Sequence, residues 1–448
     1  MRVDILETPD LGDRSYVVSD GSVALVVDPQ RDLDRVEALV VELGVQVRMV
    51  VETHLHNDYV TGGHALARRT GATYVVAGRD DVAFERCAAH DGDELSVGEM
   101  TVRVLETPGH TDTHLSYVVT DHSGDAPAVF SGGSLLYGSV GRTDLLGTDR
   151  TDDLTRKQFG SARRLAKALP DESALYPTHG FGSFCSSGGA SGGSDSTIGQ
   201  EKSRNDALTE DDEQAFVDKL VAGLTGYPAY YAHMSPLNAQ GPDEPDLTPA
   251  RTVDPVELAA RIRTGEWVVD LRDRAAYAGR HLAGTVSIGI GKQFSTYAGW
   301  VIPWGAPITL IGENPEQVAE AQRQLVRIGI DRLAGSATGD LHSLAADVPV
   351  RSYPSATFAD VPAEARVLDV RRDDEVAGGH IRGAKHIPLH SLVDRLHEVP
   401  QGRVWVHCAS GFRASIAASI LDRAGHEVVH LDDDFSNAEK AGLAVSRP

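Results

Sequence analysis

Cysteine is scarce in this chain. Three residues in 448, Cys87, Cys185 and Cys408, are too few and too odd in number for a disulfide framework, so each is weighed as a thiol in its own right. Positive charge is short as well: 42 Lys and Arg stand against 65 Asp and Glu, a net charge of −23. That surplus is spread along the chain rather than gathered in a tail. It repels a phosphate backbone, which argues against nucleic acid as a partner, and it favours solubility. No apolar run is long enough to cross a bilayer. The opening "MRVDILETPDLGDRSYVVSD" is acidic within its first residues and does not read as a signal peptide. The expectation is a cytoplasmic protein with no membrane partner, of a length that suggests about three domains.

The first half reads as α/β. "SYVVSDGSVALVVD" holds two apolar strands around an Asp20-Gly21 turn. "VQVRMVVET", "MTVRVLETPGH" and "ALYPTHG" are strands that lead into His54, His110 and His179. "LSYVVTD" and "PAVFSGG" are strands too, "GGHALARRTG" a short helix, and "DDLTRKQFGSARRLAKALP" an amphipathic helix with acid at its start and Pro170 at its end. Residues 183–205 are dense in Gly and Ser and read as one long loop. A helix over "EDDEQAFVDKLVAGL" follows, and the Pro-rich, polar "MSPLNAQGPDEPDLTPA" reads as a linker. The domains expected are 1–235, a linker at 236–251, then 252–346 and 347–448.

The last two segments are copies of one unit. "EWVVDLRDRAAYAGRHLAGTVSIGI" and "EARVLDVRRDDEVAGGHIRGAKHIPL" share a V-[VL]-D-[LV]-R stretch followed by G-x-H-[LI]-x-G-[TA]. Each then offers a strand and a helix. In the second copy this is "RVWVHCASGFRASIAASILDRAG", with Cys408 at the strand-to-helix turn; in the first the aligned position is Gly312. Six residues, Cys408 to Arg413, wrap the thiol. Inward backbone N–H groups, a helix N-terminus and the Arg413 charge form a cradle that favours thiolate and can hold a nucleophilic sulfur and what it carries. The alternative, a small buried Cys, leaves the turn, the Gly and the Arg unexplained.

"VVETHLHNDYVTGG" carries the second constellation. His54 and His56 are two apart on extended backbone and face one side, with Asp58 in the turn behind them. With His110 and His179 closing later strands, convergent imidazoles and a carboxylate suit Zn or Fe. Cys185, six residues after His179, stands either exposed and incidental or folded over the mouth of this site. Cys87 reads as packing, Arg142 and Asp144 as a pair that steadies the site loop, and His64, His114 and His122 as structural or surface residues.

The repeat and the loop "HCASGFRA" resemble the rhodanese family from about Thr252 to the end, with Cys408 as the residue that would carry a persulfide and the first copy catalytically empty. "THLHNDYVTGG", "TPGHTDTH", "GSVGRTD" and "STIG" resemble the metallo-β-lactamase fold over about residues 1–235, and within it the persulfide dioxygenase branch fused to rhodanese modules. The resemblance implies an N-terminal αββα sandwich followed by two α/β rhodanese-like domains. It implies one Fe(II) per chain, with Zn as the alternative, and oxidation of a low-molecular-weight thiol persulfide by O₂ to sulfite. Rhodanese chemistry at Cys408 and Arg413 would make or use thiosulfate, and the branch implies a homodimer or homotetramer. His54 and His110 match the two iron histidines, and His56 joins them as a metal candidate. Two positions depart from the family. Tyr59 replaces a second-metal His, and Gly133 stands where an iron-ligating Asp is usual. A further ligand would come from His56, Asp58, another carboxylate such as Asp112, or water; His179 and Cys185 are candidates for the surroundings or for substrate. Two other readings stay open: a Zn thioester hydrolase with an attached rhodanese, and a metal-poor scaffold beside a working Cys408.

Overall fold

Alternation along the strands builds the first half of the molecule. In the computed structural model, which describes residues 1–188 and 193–447, Tyr16 and Val18 face one way and Val17 the other, and Met49 and Val51 oppose Val50. The apolar side chains on either face of each strand must therefore find separate cores. One lies between two sheets, of six strands (from Arg2–Thr8 to Cys87–Ala89) and five (from Glu94–Val97 to Ala174–Pro177). The others lie outside them. Helices Asp34–Leu43 and Gly63–Thr70 cover the six-stranded sheet. Helix Thr151–Ala168 covers the five-stranded one through Phe159, Ala162, Leu165 and Ala166. The result is the αββα sandwich. Cys87, in the short strand Cys87–Ala89, packs against the central core.

Two expectations are corrected here. The Gly/Ser-rich stretch 183–205 is not one loop, although its residues 189–192 lie outside the described residues. Helix Ile198–Arg204 starts within it at a capping box, in which the Thr197 hydroxyl accepts from Gln200 N–H and the Gln200 side chain accepts from Thr197 N–H, both at 3.3 Å. The composition of the stretch hides that start signal. The linker placed at 236–251 also opens inside a helix, Tyr231–Gln240, which tolerates Pro236. By contacts the chain divides into residues 1–224, 230–245 and 326–329 on one side, and 225–229, 246–325 and 330–448 on the other.

The second unit holds both repeat copies, and they repeat in three dimensions as they do in sequence. The first copy orders its parallel strands Val286–Ser287, Trp267–Asp270, Ile308–Gly312, Gly335–Thr338. In the second, Lys385–His386, Arg366–Asp369, Val404–His407 and Val428–Leu431 follow the same order, with Ser355–Ala356 added at the edge. The shared D-x-R is the same bond twice: Arg272 clasps Asp270 and Arg371 clasps Asp369, each through two guanidinium nitrogens. Among the described residues no helix is long and apolar enough to cross a membrane.

Candidate metal centre and thiol loop

Three strands bring the imidazoles together. Strand Gln46–Val51 runs into His54, Met100–Glu106 precedes His110, and Ala174–Pro177 precedes His179. All three rings are fully buried or within 1% of it. One ring nitrogen of each lies within 4.8 Å of the other two, and Nε2 of His54 stands 3.3 Å from Nε2 of His179. The far side of each ring is held. The carbonyl of Arg142 accepts from His110 Nδ1 at 2.7 Å. Asp13 and Asp58 take His179 Nδ1 at 2.9 and 3.2 Å. The Thr53 hydroxyl meets His54 Nδ1 at 2.9 Å and spends its own proton on Asp28. His110 Nε2 has no hydrogen-bond partner among the described residues.

His56 is placed differently. Its Nε2 turns away from the three rings toward Asp28, Glu52 and the Tyr59 hydroxyl, at 3.3, 3.4 and 2.9 Å. Burial works against its charge, but Asp28 and Glu52 outweigh it and take the imidazole up to about 9. Burial raises Glu52, and the same His56 charge holds Asp28 below the usual carboxylate range despite its complete burial. Burial and the other imidazoles hold His54 well down, and burial with the charge on His179 takes His110 down to about 3. Burial alone would lower His179 too; Asp58 and Asp13 reverse this and hold it well above its ordinary value.

Gly133 explains part of the packing. A Cβ there would meet the His110 ring at 2.3 Å, so the imidazole fills the place a longer side chain would need. The Gly133 N–H donates to His114 Nε2 at 3.0 Å, which makes His114 a buried structural residue with no free nitrogen lone pair. Asp112, weighed as a further ligand, is engaged elsewhere, by Arg150 and by Lys157 at 3.2 Å. Arg142 and Asp144 form a two-bond pair at 2.7 and 2.8 Å. Cys185 is fully buried rather than exposed, next to Asp58, and burial with the Asp58 and Asp13 charges pushes its thiol well up.

Several residues of this site carried no signal of their own in the sequence. Asp13, Asp28 and Glu52 sit at strand ends as ordinary acids. Asp28 takes the left-handed φ of 48°, a strained conformation for a residue with a side chain. It ties together Thr53, Thr178 and His56. Asn238, inside the stretch read as linker, donates to the carbonyls of His56 and Tyr59 and accepts from Thr61 N–H, all at 2.9 Å, clamping the histidine loop.

In the second unit, strand Val404–His407 delivers Cys408 to a turn and helix Phe412–Arg423 leaves it, with Gly411 between at φ 89°. Cys408 is 1% exposed. The Ala409 carbonyl accepts from Phe435 N–H at 2.8 Å and that of Gly411 from His430 Nε2 at 2.9 Å, which pins the loop. Arg413 does not stand as a lone cation: Glu375 takes both its terminal nitrogens, at 2.5 and 2.7 Å. Burial raises Glu375, and the Arg413 bonds outweigh it to hold the carboxyl below its usual range. The loop faces a cavity of about 510 Å³ lined by Arg274 and Lys292 of the first copy and Ser410 and Phe412 of the second. The first copy has no room for a thiol at Gly312, where a Cβ would meet Val318 Cγ2 at 2.9 Å. It instead supports the helix behind Cys408: Ser287 N–H donates to Ser419 Oγ at 2.9 Å and His281 Nε2 meets Asp422 at 3.1 Å.

Residues 10–179 match the model of the metallo-beta-lactamase superfamily and residues 357–441 that of the rhodanese-like domain. Among curated relatives, the mitochondrial persulfide dioxygenase ETHE1 of Homo sapiens is 28% identical over 200 residues, 44% of this chain and 70% of that protein. Its Bos taurus counterpart is 29% identical over 213 residues, 47% and 75% of the two chains. Among solved structures, a metallo-beta-lactamase from Staphylococcus aureus subsp. aureus COL superposes with a TM-score of 0.68 at 28% identity, over 76% of this chain and 99% of that one.

Proposed function

We propose that this chain, in which a metallo-β-lactamase-superfamily domain is followed by a rhodanese-like domain, is a two-stage sulfur enzyme. The first domain oxidises a low-molecular-weight thiol persulfide with O₂ to sulfite. Cys408 moves sulfane sulfur between the persulfide and a small acceptor. One observation carries the reading: a converging imidazole cluster, within the metallo-beta-lactamase match of a chain 28% identical over 200 residues to human persulfide dioxygenase, shares that chain with a pinned thiol loop.

The overall change at the first site is RSSH + O₂ + H₂O → RSH + SO₃²⁻ + 2H⁺. His54 and His110 would hold the metal, as the orphaned His110 Nε2 befits, with a further ligand from the groups around them. Bound Fe(II) supplies the binding and activation of O₂, and a position for the persulfide sulfur, that side chains lack. The protein's part is to keep the pocket dry and the rings fixed. Asp13 and Asp58 orient His179, the Arg142 carbonyl orients His110, and Asp28 with Glu52 holds His56 through its Nε2.

At the second site the Cys408 sulfur attacks the terminal sulfur of RSSH, forming Cys408–S–S⁻ and releasing RSH. Sulfite then attacks the outer sulfur, the S–S bond to Cys408 breaks, and thiosulfate leaves with the thiolate regenerated. Lys292 lines the cavity and suits an anionic acceptor, beside Asp273 and an Arg274 that is paired with Asp432 at 2.8 Å. Fusion supplies the acceptor, because the product of the first reaction is the substrate of the second.

The test is oxygen uptake by anaerobically purified, iron-loaded chain on a thiol persulfide, with sulfite and thiosulfate measured in the same vessel. Persulfide-dependent uptake with about one iron per chain is expected. Thioester hydrolysis without uptake would favour the Zn hydrolase. Absence of both, with sulfur transfer intact, would leave Cys408 as the sole working site.

A further inference from the structure

We infer that the metal site of the first domain is a three-imidazole site formed by His54, His110 and His179, in place of the two histidines and aspartate that the dioxygenase resemblance implies. The inference rests on the hydrogen bonds behind the rings. Each Nδ1 faces an acceptor: the Arg142 carbonyl for His110, the Asp13 and Asp58 carboxylates for His179, and for His54 a Thr53 oxygen whose proton is committed to Asp28. Nδ1 therefore carries the hydrogen in all three rings, and Nε2 is the nitrogen each turns toward the others.

Three Nε2 atoms in a dry pocket repel one another unless a cation sits among them. A single proton shared by His54 and His179 still leaves His110 Nε2 bare, and that nitrogen is fully buried with no partner among the described residues. A divalent first-row ion satisfies all three. Two nitrogens each about 2.0–2.1 Å from one tetrahedral ion stand roughly 3.3–3.4 Å apart, and the observed His54–His179 separation is 3.3 Å.

Most other ligand atoms are spoken for, though His56 Nδ1 and Asp58 Oδ1 are buried without a partner among the described residues, and these two residues form a second three-ligand group with His179. His56 Nε2 serves Asp28, Glu52 and Tyr59, His114 Nε2 accepts from Gly133, and Asp112 is paired with Arg150 and Lys157. Asp58 serves the site through His179, as a positioning residue. Gly133 is part of the same arrangement, because the His110 ring occupies the space its side chain would take. Three neutral ligands leave the ion its full double charge and an open side for an anionic persulfide, so the inference deepens the proposed reaction at this site.

The experiment is X-ray absorption on the full chain loaded anaerobically with Fe(II), and separately with Zn(II), with metal content measured by mass spectrometry. Three imidazoles per metal are expected. In His179→Gln the count falls to two and loss of metal to a chelator speeds up by at least about tenfold, whereas His56→Gln keeps three. Should His179→Gln fail to fold, Gly133→Asp decides: it lowers metal content by crowding His110, where a site of the two-His, one-Asp kind would gain metal. Two imidazoles with a carboxylate in the wild type, no metal after loading, or full retention in His179→Gln would each overturn the ligand set. Three imidazoles without persulfide-dependent uptake would support it while removing the dioxygenase reading.

Discussion

At the scale of the residue, burial sets what each group can do. Asp80 is the clearest case away from the metal ligands. It is 8% exposed, hydrogen-bonded by the Thr113 hydroxyl, and burial carries it up to about 6 against the attraction of Thr113 and Arg86. The folded pKa lies above the unfolded one, so the native state holds the extra proton between about pH 4 and 6. Asp80 costs nothing below that window and destabilises the fold as pH rises through it, by at most about 3 kcal/mol. Asp80→Asn, which keeps an acceptor for Thr113, is expected to equal the wild type in stability near pH 4 and exceed it above pH 7. Denaturant melts across that range check this; a difference that does not change with pH would refute the assignment.

At the scale of the element, the thiol loop is a strand, a turn and a helix whose geometry hangs on one glycine. Gly411 takes φ 89°, and a Cβ there would meet Asp432 Oδ1 at 2.2 Å. Gly411→Ala is expected to lose about 1–3 kcal/mol of stability and to slow sulfur transfer from thiosulfate by at least about tenfold, because the helix then enters at a different angle behind Cys408. Unchanged transfer in a destabilised variant would mean that the loop does not need this turn. The same element in the first copy shows how far it can be reduced. Its strand runs on through Gly312, paired with Thr338, so no cradle forms and the copy serves as a support.

At the scale of the whole molecule, the proposed activities belong to separate units and must be separable by mutation. Cys408→Ser is expected to abolish transfer of sulfur from thiosulfate to a thiol while leaving persulfide-dependent oxygen uptake within about twofold, since a buried S-to-O change alters little packing. Its product should shift from thiosulfate to sulfite. His110→Ala should do the reverse, losing metal and uptake but keeping transfer. Equal loss of both activities in either variant, with folding intact by circular dichroism, would end the idea of two independent sites.

What the sequence determined by itself was local and periodic. The strand alternation, the D-x-R and G-x-H of each copy, the cysteine at a strand-to-helix turn and the histidines after strands are all patterns of short stretches. Spacing and backbone geometry read these directly as α/β elements, and the family resemblance that the motifs carry implied the architecture. What only the tertiary structure decided lay between residues far apart in the chain. His179 stands beside His54, 125 positions away, and Asp13 behind His179, 166 away. His56 sits two residues from His54 and yet turns to Asp28 and Glu52. Asn238, in a stretch that composition marks as linker, clamps the histidine loop. The physical reason is the same in each case. A side chain's chemistry is set by which nitrogen or oxygen it turns inward and which partner holds the other. That choice is made by packing across the sandwich, after local sequence has placed the strands.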